Sequence, residues 1–532
     1  MRLFNYLIVA SFFCFIALYS TAHSTISGSV NSNLLRKELI ALYGDQDPVF
    51  EFYESRDFSS FWLSDNKNLS GLIEALNIAE KHGLEGEKYF IERLRSGANS
   101  DGISYSPHYY EIIAMKSALR FVNHISSGML KPTTIAPEIN VYPQVPKASE
   151  ILFKISNSDD IKATIFEFVP KDPDYNALLN ELEKLKLAAR YGFWGQPVPS
   201  NELLGYGAKS HKVVKLRTRL YKMGYLDLDN GSEIYDVDLV KGVKRFQTMH
   251  GLNSDGIAGK FTLDAINISP ETRIVQVIVN LERIRWNNFD YGKKYIRVNQ
   301  PNFRAELKEE GSVIWSSRVV VGLPEFQTAE FSDIMTHLII NPTWHVPKSI
   351  AVDEYLPLMQ ENPDFIANND MVLLIKGTSK QVDSTLIDMN AFTAENFPFE
   401  IKQNPSNLNA LGLVKFMFPN RFSIYMHDTP SKELFFRDER TFSHGCIRVQ
   451  DPFDFAHVLL TWQLDDPIKG FANILEKNKE TQINLDNAVP VHIQYRTVFK
   501  GQNGKINYRS DIYGRDAMVF INMVDAGLII DI

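Results

Sequence analysis

The stretch "YMHDTPSKELFFRDERTFSHGCIRV", from Tyr425 to Val449, places a cysteine beside histidines in a chain that otherwise almost avoids cysteine. It contains Cys446, one of two cysteines, and His427 and His444, two of the twelve histidines. A thiol with a free pKa near ~8.5 is mostly protonated at neutral pH, so a nucleophilic cysteine needs a base within reach or a positive local field. The stretch therefore indicates a cysteine nucleophile with a histidine partner.

His427 is the better candidate for the base. The segments "FSIYMHD" and "CIRV" are typical of strands, and if they pair, His427 and Cys446 face each other across the sheet. Side chains opposite each other on paired strands have Cβ atoms about 5 Å apart, close enough for a thiol–imidazole contact. Asp428, Thr429 and Ser443 are polar neighbours that can fix the tautomer of the imidazole.

The turn at His444, Gly445 and Cys446 suits another task. A glycine permits a tight backbone path, which can direct successive N–H groups at a developing oxyanion. We therefore predict an oxyanion loop here, with His444 shaping it or forming local hydrogen bonds.

Two other interpretations fit these residues less well. A single histidine on an apolar strand is more often structural, and a single cysteine is more often buried and inert, but their combination in one Ser-His-Gly-Cys loop favours catalysis. Zinc accepts the side chains of His427, Asp428, His444 and Cys446, yet the usual spacing of two or more residues between ligands is missing. We predict no metal.

The chain begins like an exported protein. Arg2 precedes a short apolar run, Leu7–Tyr19, and the small residues Ser20-Thr21-Ala22 follow. This pattern predicts a secretory signal peptide over residues 1–22, too short for a comfortable span of roughly 20 apolar residues. Its removal takes Cys14 away and leaves Cys446 as a free thiol. We expect a periplasmic protein, in contact with the membrane only if the signal is not cleaved.

Length and charge limit the remaining possibilities. A chain of 532 residues, at about 150 residues per domain, predicts three domains. The net charge of −8, without any basic block, argues against nucleic acid as a partner.

Periodicity along the chain predicts a multidomain α+β protein. Residues 34–204 show helical spacing of apolar residues, residues 209–268 predict three helices, and residues 276–500 show strand patterns. Within the last region, residues 351–409 are typical of an inserted helix-and-loop segment, and an insertion of this length is often a lid or a binding element. Residues 501–532 are set apart as a C-terminal tail.

The three-helix region contains a specific set of glycine, apolar and polar residues: Gly224-Tyr225, Val243, Phe246-Gln247, Gly251-Leu252, Asp255-Gly256, Gly259 and Thr262. With these residues it resembles the common peptidoglycan-binding module of exported cell-wall enzymes.

The stretch ending in "SHGCIRV" is similar to the active-site signature of the L,D-transpeptidases of peptidoglycan. Other segments agree with the large Gram-negative type, in which a helical scaffold precedes a wall-binding module and a β-rich catalytic domain with a lid. These segments are "NLERIRW" (Asn280–Trp286), "VVVGLPEFQT" (Val319–Thr328), "NPTWHVPKSI" (Asn341–Ile350), "NALGLVKFMFPN" (Asn409–Asn420) and "YGRDA" (Tyr513–Ala517).

The resemblance implies specific roles for residues. It makes Cys446 the nucleophile and His427 the general base and acid, with His444 and Gly445 in the oxyanion loop. The substrate-binding residues that we predict with it are Tyr425, Asp428, Ser443, Arg448 and Trp344.

It also implies a reaction and partners. A thioester acyl-enzyme would release D-alanine from one stem peptide, and an amine of a second stem would then form a 3-3 cross-link, without a cofactor. Peptidoglycan stem peptides and glycan strands would be the partners, with carbapenems as covalent inhibitors and a part in cell-wall organisation and cell shape.

Three alternatives stay open at this point. The acceptor can be water, as in an L,D-carboxypeptidase, or a different amine. A cysteine peptidase of the wall-hydrolase type is less favoured, because in those families the cysteine usually precedes the histidine. A non-catalytic wall-binding protein that has kept the fold is the third.

Overall fold

The computed structural model describes residues 30–98 and 106–530, except for the side chains of 87 and 96–98. The predicted signal peptide and Cys14 lie outside these residues. Among the described helices, none combines the length and apolar character needed to cross a membrane. The described residues divide into two compact units; the first comprises residues 30–80, 85–98, 106–122 and 146–168, and the second comprises 81–84, 123–145 and 169–530.

The first unit is helical, as predicted. Its helices are α1 (Ser32–Tyr43), α2 (Pro48–Glu54), α3 (Asn66–Leu76), α4 (Ile91–Ala98), α5 (Pro107–Ser127), α6 (Ala148–Ser156) and α7 (Ile161–Phe166). Asp47, Asp65 and Asp160 cap α2, α3 and α7 by accepting hydrogen bonds from backbone N–H groups at the helix starts. The buried carboxylate of Glu111 accepts hydrogen bonds from the Tyr53 hydroxyl at 2.7 Å and the Ser60 hydroxyl at 2.6 Å. A buried charge with several donors holds the helices in one arrangement.

The second unit begins with helices. They are α8 (Pro173–Tyr191), α9 (His211–Lys222), α10 (Val237–Met249), α11 (Lys260–Asn267) and α12 (Pro270–Trp286). The helices α9, α10 and α11 share their own apolar core, as the three-helix prediction requires. Gln247 explains part of the sequence motif: its amide donates to Asp255 at 2.8 Å and accepts from the Gly256 N–H at 2.8 Å.

The β-rich part follows in the same unit. In chain order its elements are β1 (Lys294–Asn299), β2 (Arg304–Glu309), β3 (Ser312–Gly322), β4 (Phe331–Ile340), β5 (Trp344–His345), α13 (Lys348–Ile350), α14 (Leu356–Glu361), α15 (Phe365–Asn368), β6 (Met371–Ile375), β7 (Gln381–Val382), β8 (Phe399–Gln403), β9 (Val414–Met417), β10 (Met426–His427), β11 (Thr441–Ser443), β12 (Ile447–Val449), α16 (Pro452–Leu460), α17 (Pro467–Leu475), β13 (Thr481–Gln494), β14 (Val498–Lys500), β15 (Ile506–Tyr508) and α18 (Arg515–Asp525).

A nine-stranded sheet forms the centre of this part, in the order β11-β3-β12-β10-β9-β4-β13-β1-β2. Because β2 also pairs with β3, the sheet closes on itself. The buried cluster inside it includes Val414, Phe416, Met426, Ile447 and Val449. The predicted fold class, a helical scaffold, a three-helix module and a β-rich domain with an insertion, is confirmed.

The insertion differs from the prediction of helices and loops alone. It contains β6, β7 and β8, which with β5 form a separate four-stranded sheet in the order β5-β8-β6-β7. Its apolar core includes Trp344, Leu356, Leu373 and Ile401. These strands are short, so their alternation spans too few residues to be recognised in the sequence.

The segment set apart as a tail, residues 501–532, is folded over its described part. The strand β15 pairs with β14 across the predicted boundary, and Val519 and Met523 of α18 are buried in one cluster with α12. Apolar residues at helical spacing in α18 need a partner surface, and α12 supplies it.

Candidate active site

Three adjacent strands carry the candidate site. His427 on β10 is in register with Lys415 on β9 and with Arg448 on β12. Their neighbours Phe416, Met426 and Ile447 point into the core. Because side chains alternate along a strand, the polar residues share the opposite face of the sheet.

Cys446 immediately precedes β12 and lies beside Tyr425. The Ile447 N–H donates to the Tyr425 carbonyl at 3.0 Å, which continues the parallel pairing by one residue. The predicted pairing of the two segments is therefore present, but its register places His427 opposite Arg448. Cys446 is the diagonal neighbour of His427, a relationship in which Cα atoms lie roughly 7–8 Å apart. The sequences of the two strands do not specify this register.

Tyr425 lies beside both the thiol and the imidazole. Its ring centroid lies 5.6 Å from that of His427. Burial raises the pKa of Tyr425 above its usual range, and the neighbouring Cys446 raises it further. The phenol therefore remains protonated beside the sulfur and can donate a hydrogen bond to it.

The sulfur of Cys446 is only partly accessible. Its thiol points at the Ser423 carbonyl at 3.7 Å. Burial raises the pKa of Cys446 to about 11, although hydrogen bonds from Tyr425 and the charges of Arg448 and Lys415 act in the opposite direction. The thiol is therefore neutral at physiological pH in this state, with donors and cations placed to stabilise a thiolate as it forms.

His427 is buried in its neutral form. Burial, and then the charge of Arg448, lower the pKa of His427 to about 3. Its Nδ1 lies 2.5 Å from the Asp428 carbonyl oxygen. In the neutral ring Nδ1–H donates to that carbonyl, and the backbone of Leu411 also lies within hydrogen-bond reach of the ring. In this tautomer Nε2 carries no proton, as a general base requires. The backbone of Asp428, and not its carboxylate, selects this tautomer.

The carboxylate of Asp428 builds the adjoining loop. It accepts hydrogen bonds from the N–H of Leu413 at 2.9 Å and from the Thr429 N–H at 2.7 Å, and pairs with Lys432 at 2.6 Å. Gly412 packs against it closely enough that an added Cβ would lie 2.3 Å from its Cγ. Asp428 also borders a cavity of about 430 Å³ at the C-terminal ends of β10 and β12. These bonds engage both carboxylate oxygens within the protein.

The loop from Ser443 to Cys446 is held by its own hydrogen bonds. The Ser443 hydroxyl donates to the Cys446 carbonyl at 2.5 Å, and the Gly445 N–H donates to the Ser443 hydroxyl at 3.2 Å. Gly445 has a φ of +107°, in the left-handed region that disfavours residues with a Cβ. The Gly445 N–H is thus already bonded to Ser443 and is not the free donor that the predicted oxyanion loop requires.

His444 points to the insertion. Its Nε2 lies 2.6 Å from Oε1 of Glu354, and its ring centroid lies 4.7 Å from that of Phe326. Trp344 is 8% exposed and belongs to the core of the insertion, where its ring centroid lies 6.1 Å from that of Tyr355. Tyr425 packs against the same core, so the insertion covers the face that carries the candidate site.

Among the predicted residues, the structure brings together Cys446, Tyr425, His427 and Arg448, with Ser443 behind the loop. His444 instead contacts Glu354 of the insertion, and Trp344 belongs to the core of the insertion. Sequence reasoning missed Lys415, although its position between Val414 and Phe416, which face the core, could have indicated it. Within the described residues, no group of three or more histidine, cysteine or acidic side chains is arranged to hold a metal ion.

Three family models match the chain in succession. Residues 47–182 match a "Scaffold domain", residues 209–266 a "Putative peptidoglycan binding domain", and residues 293–480 an "L,D-transpeptidase catalytic domain". A "Putative L,D-transpeptidase" of Haemophilus influenzae is 30% identical over 269 residues, which is 50% of this chain and 53% of that protein. The match thus spans about half of the relative.

Solved structures give a weaker likeness. An L,D-transpeptidase of Stackebrandtia nassauensis is 13% identical, with a TM-score of 0.22, and the match covers 57% of this chain and 98% of that one. An L,D-transpeptidase of Xylanimonas cellulosilytica is 13% identical with a TM-score of 0.19, over 56% of this chain and 100% of that one. The assignment rests on the family models, and they confirm the resemblance predicted from the sequence. Along its sequence this chain carries a scaffold domain, then a peptidoglycan-binding domain, then an L,D-transpeptidase catalytic domain.

Proposed function

We propose that this protein is a peptidoglycan L,D-transpeptidase that forms 3-3 cross-links through a thioester on Cys446. One observation carries the proposal: a thiol, a neutral imidazole and two cations share one covered face of an L,D-transpeptidase catalytic domain. The peptidoglycan-binding match over residues 209–266 supports a wall substrate.

The first half of the reaction is acylation. As the sulfur of Cys446 bonds to the carbonyl carbon of the third residue of a tetrapeptide stem, Nε2 of His427 accepts the thiol proton. The tetrahedral intermediate then expels D-alanine, and the imidazolium returns the proton to the leaving amine. Because both groups are neutral at rest, we propose that proton transfer accompanies attack, and no thiolate–imidazolium pair forms beforehand.

The second half is aminolysis. A side-chain amine of another stem attacks the thioester carbonyl, gives its proton to His427, and displaces the sulfur, which regains a proton. One amide is exchanged for another, so the step needs no energy source or cofactor. Arg448 and Lys415 stabilise the negative charge that develops on the sulfur and on the substrate. The insertion limits the entry of water, which would otherwise hydrolyse the thioester.

Tetrapeptide-rich sacculi test the proposal. Incubation with the full chain should give 3-3 linked dimers and free D-alanine, detected by mass spectrometry. Cys446→Ala should give neither, and His427→Ala should be slower by roughly 10²-fold or more, the usual scale for loss of a general base. Shortened stems without dimers would favour an L,D-carboxypeptidase, and dimers with an added amine other than a stem would favour a different acceptor. Co-sedimentation without new products would favour a wall-binding protein.

We further propose that residues 1–22 direct export and that the protein works in the periplasm. Fractionation should find the processed chain there, whereas an uncleaved signal would leave it with the membrane. A carbapenem should add one covalent mass to the wild type and none to Cys446→Ala. A chelator should leave the activity unchanged, and loss that zinc restores would contradict the metal-free proposal.

A further inference from the structure

Two motifs that the proposed chemistry leaves unused meet behind the catalytic loop. Arg515, from "YGRDA", is fully buried. Its guanidinium donates to the Thr328 carbonyl at 2.8 Å and to Gln327 Oε1 at 2.9 and 3.0 Å, and pairs with Glu330 at 3.1 Å. The planar fork of an arginine can hold two acceptors in one fixed geometry. The C-terminal segment therefore holds the end of "VVVGLPEFQT" in place.

Thr328 passes this constraint to the catalytic loop. Its hydroxyl accepts from the Gly322 N–H at 2.9 Å and donates to the Gly445 carbonyl at 2.8 Å. Thr328 is 0% exposed, so water does not compete for these bonds. A hydroxyl has one proton, and the bond from Gly322 leaves that proton available to the Gly445 carbonyl. The Tyr513 hydroxyl, which itself donates to the Gly322 carbonyl at 2.6 Å, is a second neighbour of the Thr328 hydroxyl.

The direction of the Gly445 carbonyl decides the direction of the next N–H. In a planar trans peptide the carbonyl and the following N–H point to opposite sides. With the Gly445 carbonyl fixed on Thr328, the Cys446 N–H points away from Thr328. In the part of the chain that the structure describes, no hydrogen bond has the Cys446 N–H as its donor, whereas the Gly445 N–H is used by Ser443.

We infer that Arg515 and Thr328 are positioning residues that orient the Gly445–Cys446 peptide so that the Cys446 N–H can stabilise the oxyanion formed on this cysteine. The inference deepens the proposed function, because an oxyanion arises whenever a carbonyl is attacked by Cys446. Loss of one oxyanion donor typically slows acyl transfer by roughly 10²–10³-fold, and a displacement of about 1 Å can have a similar effect.

Two small probes separate positioning from a general structural effect. Acylation of Cys446 by p-nitrophenyl acetate passes through a tetrahedral oxyanion: the S–C bond forms, nitrophenolate leaves, and the thiol proton is taken up by a base. Alkylation by iodoacetamide is a direct displacement of iodide, with no oxyanion. Both reactions are measured on the full chain at one fixed pH, with Cys446 monitored by peptide mass mapping.

Thr328→Val keeps the shape of the side chain but removes the hydroxyl. We expect its acylation rate to fall at least about tenfold while its alkylation rate stays within about twofold of the wild type. Thr328→Ser restores the hydroxyl and should restore acylation. Arg515→Lys, which retains the charge for Glu330 but not the fork, should lower acylation in the same selective way. Thr164→Val, which loses a buried hydroxyl bonded to Asp160 in the first unit, should change neither rate.

The inference is overturned if Thr328→Val acylates at the wild-type rate. It is equally overturned if both rates fall together and Thr328→Ser does not restore acylation, because that pattern belongs to a disrupted loop. Neither probe contains a stem peptide, so the result stands apart from the sacculus assay. Failure of wild-type protein on sacculi would contradict the proposed function alone.

Discussion

The pH dependence of Cys446 reactivity offers the sharpest check on the described site. Burial raises the pKa of this thiol from 9.0 to about 11. At pH 7 the thiolate fraction is then about 10⁻⁴, against about 10⁻² for the unshifted group, a difference of about 100-fold. His427, with its pKa lowered to about 3, supplies no imidazolium that would hold a thiolate in this range.

Alkylation by iodoacetamide measures this fraction, because the thiolate is the reacting form. The rate constant at Cys446 should rise about tenfold per pH unit through neutrality and level off only near the pKa of about 11. Arg448→Met removes a cation that lowers this pKa, so its curve should move to higher pH. A small free thiol measured in parallel gives the unshifted curve.

A plateau that begins below neutral pH would refute the reasoning. Such a plateau would mean that a thiolate–imidazolium pair exists at rest, and that the burial of the two groups does not control their charges. An unchanged curve for Arg448→Met would contradict the electrostatic part separately.

Three further changes have expected outcomes. Gly412→Ala combines a φ of +61° with a Cβ placed 2.3 Å from Asp428 Cγ, and should lower the free energy of unfolding, measured in urea, by roughly 2–3 kcal/mol. The control Gly377→Ala has a φ of +73° but open space around the added Cβ, and should lower it by about 1 kcal/mol. Equal losses would contradict the packing argument. Glu354→Gln removes the carboxylate from a partly exposed contact with His444, so urea unfolding should show a loss below about 1 kcal/mol. A loss above about 2 kcal/mol would be inconsistent with that exposure. Burial lowers the pKa of His492 from 6.5 to about 4, so between these pH values the unfolded chain binds a proton that the folded chain does not, and stability is lost as the pH falls. The melting temperature of His492→Gln should therefore fall less than that of the wild type between neutral pH and pH 4. Equal falls would contradict this role of His492.

The sequence was sufficient to predict the features that depend on residues close together in the chain. Cys446 and His427 belong to one short signature, and apolar alternation around Lys415 and Arg448 follows from the period of a strand. The three-helix module could be predicted for the same reason, because Phe246-Gln247 and Asp255-Gly256 contact each other locally. The strands of two to five residues in the insertion could not be predicted, since so few residues cannot establish a period.

The tertiary structure decided the relations between distant segments. The sequence by itself determined which groups we propose to carry the chemistry: a thiol, an imidazole and a glycine loop. The diagonal placement of Cys446 and His427 depends on the parallel register of β10 and β12, and the bonds from Arg515 to Thr328 and from Thr328 to Gly445 join segments more than a hundred residues apart. Register and long-range hydrogen bonds result from the packing of the whole sheet, so no local pattern specifies them.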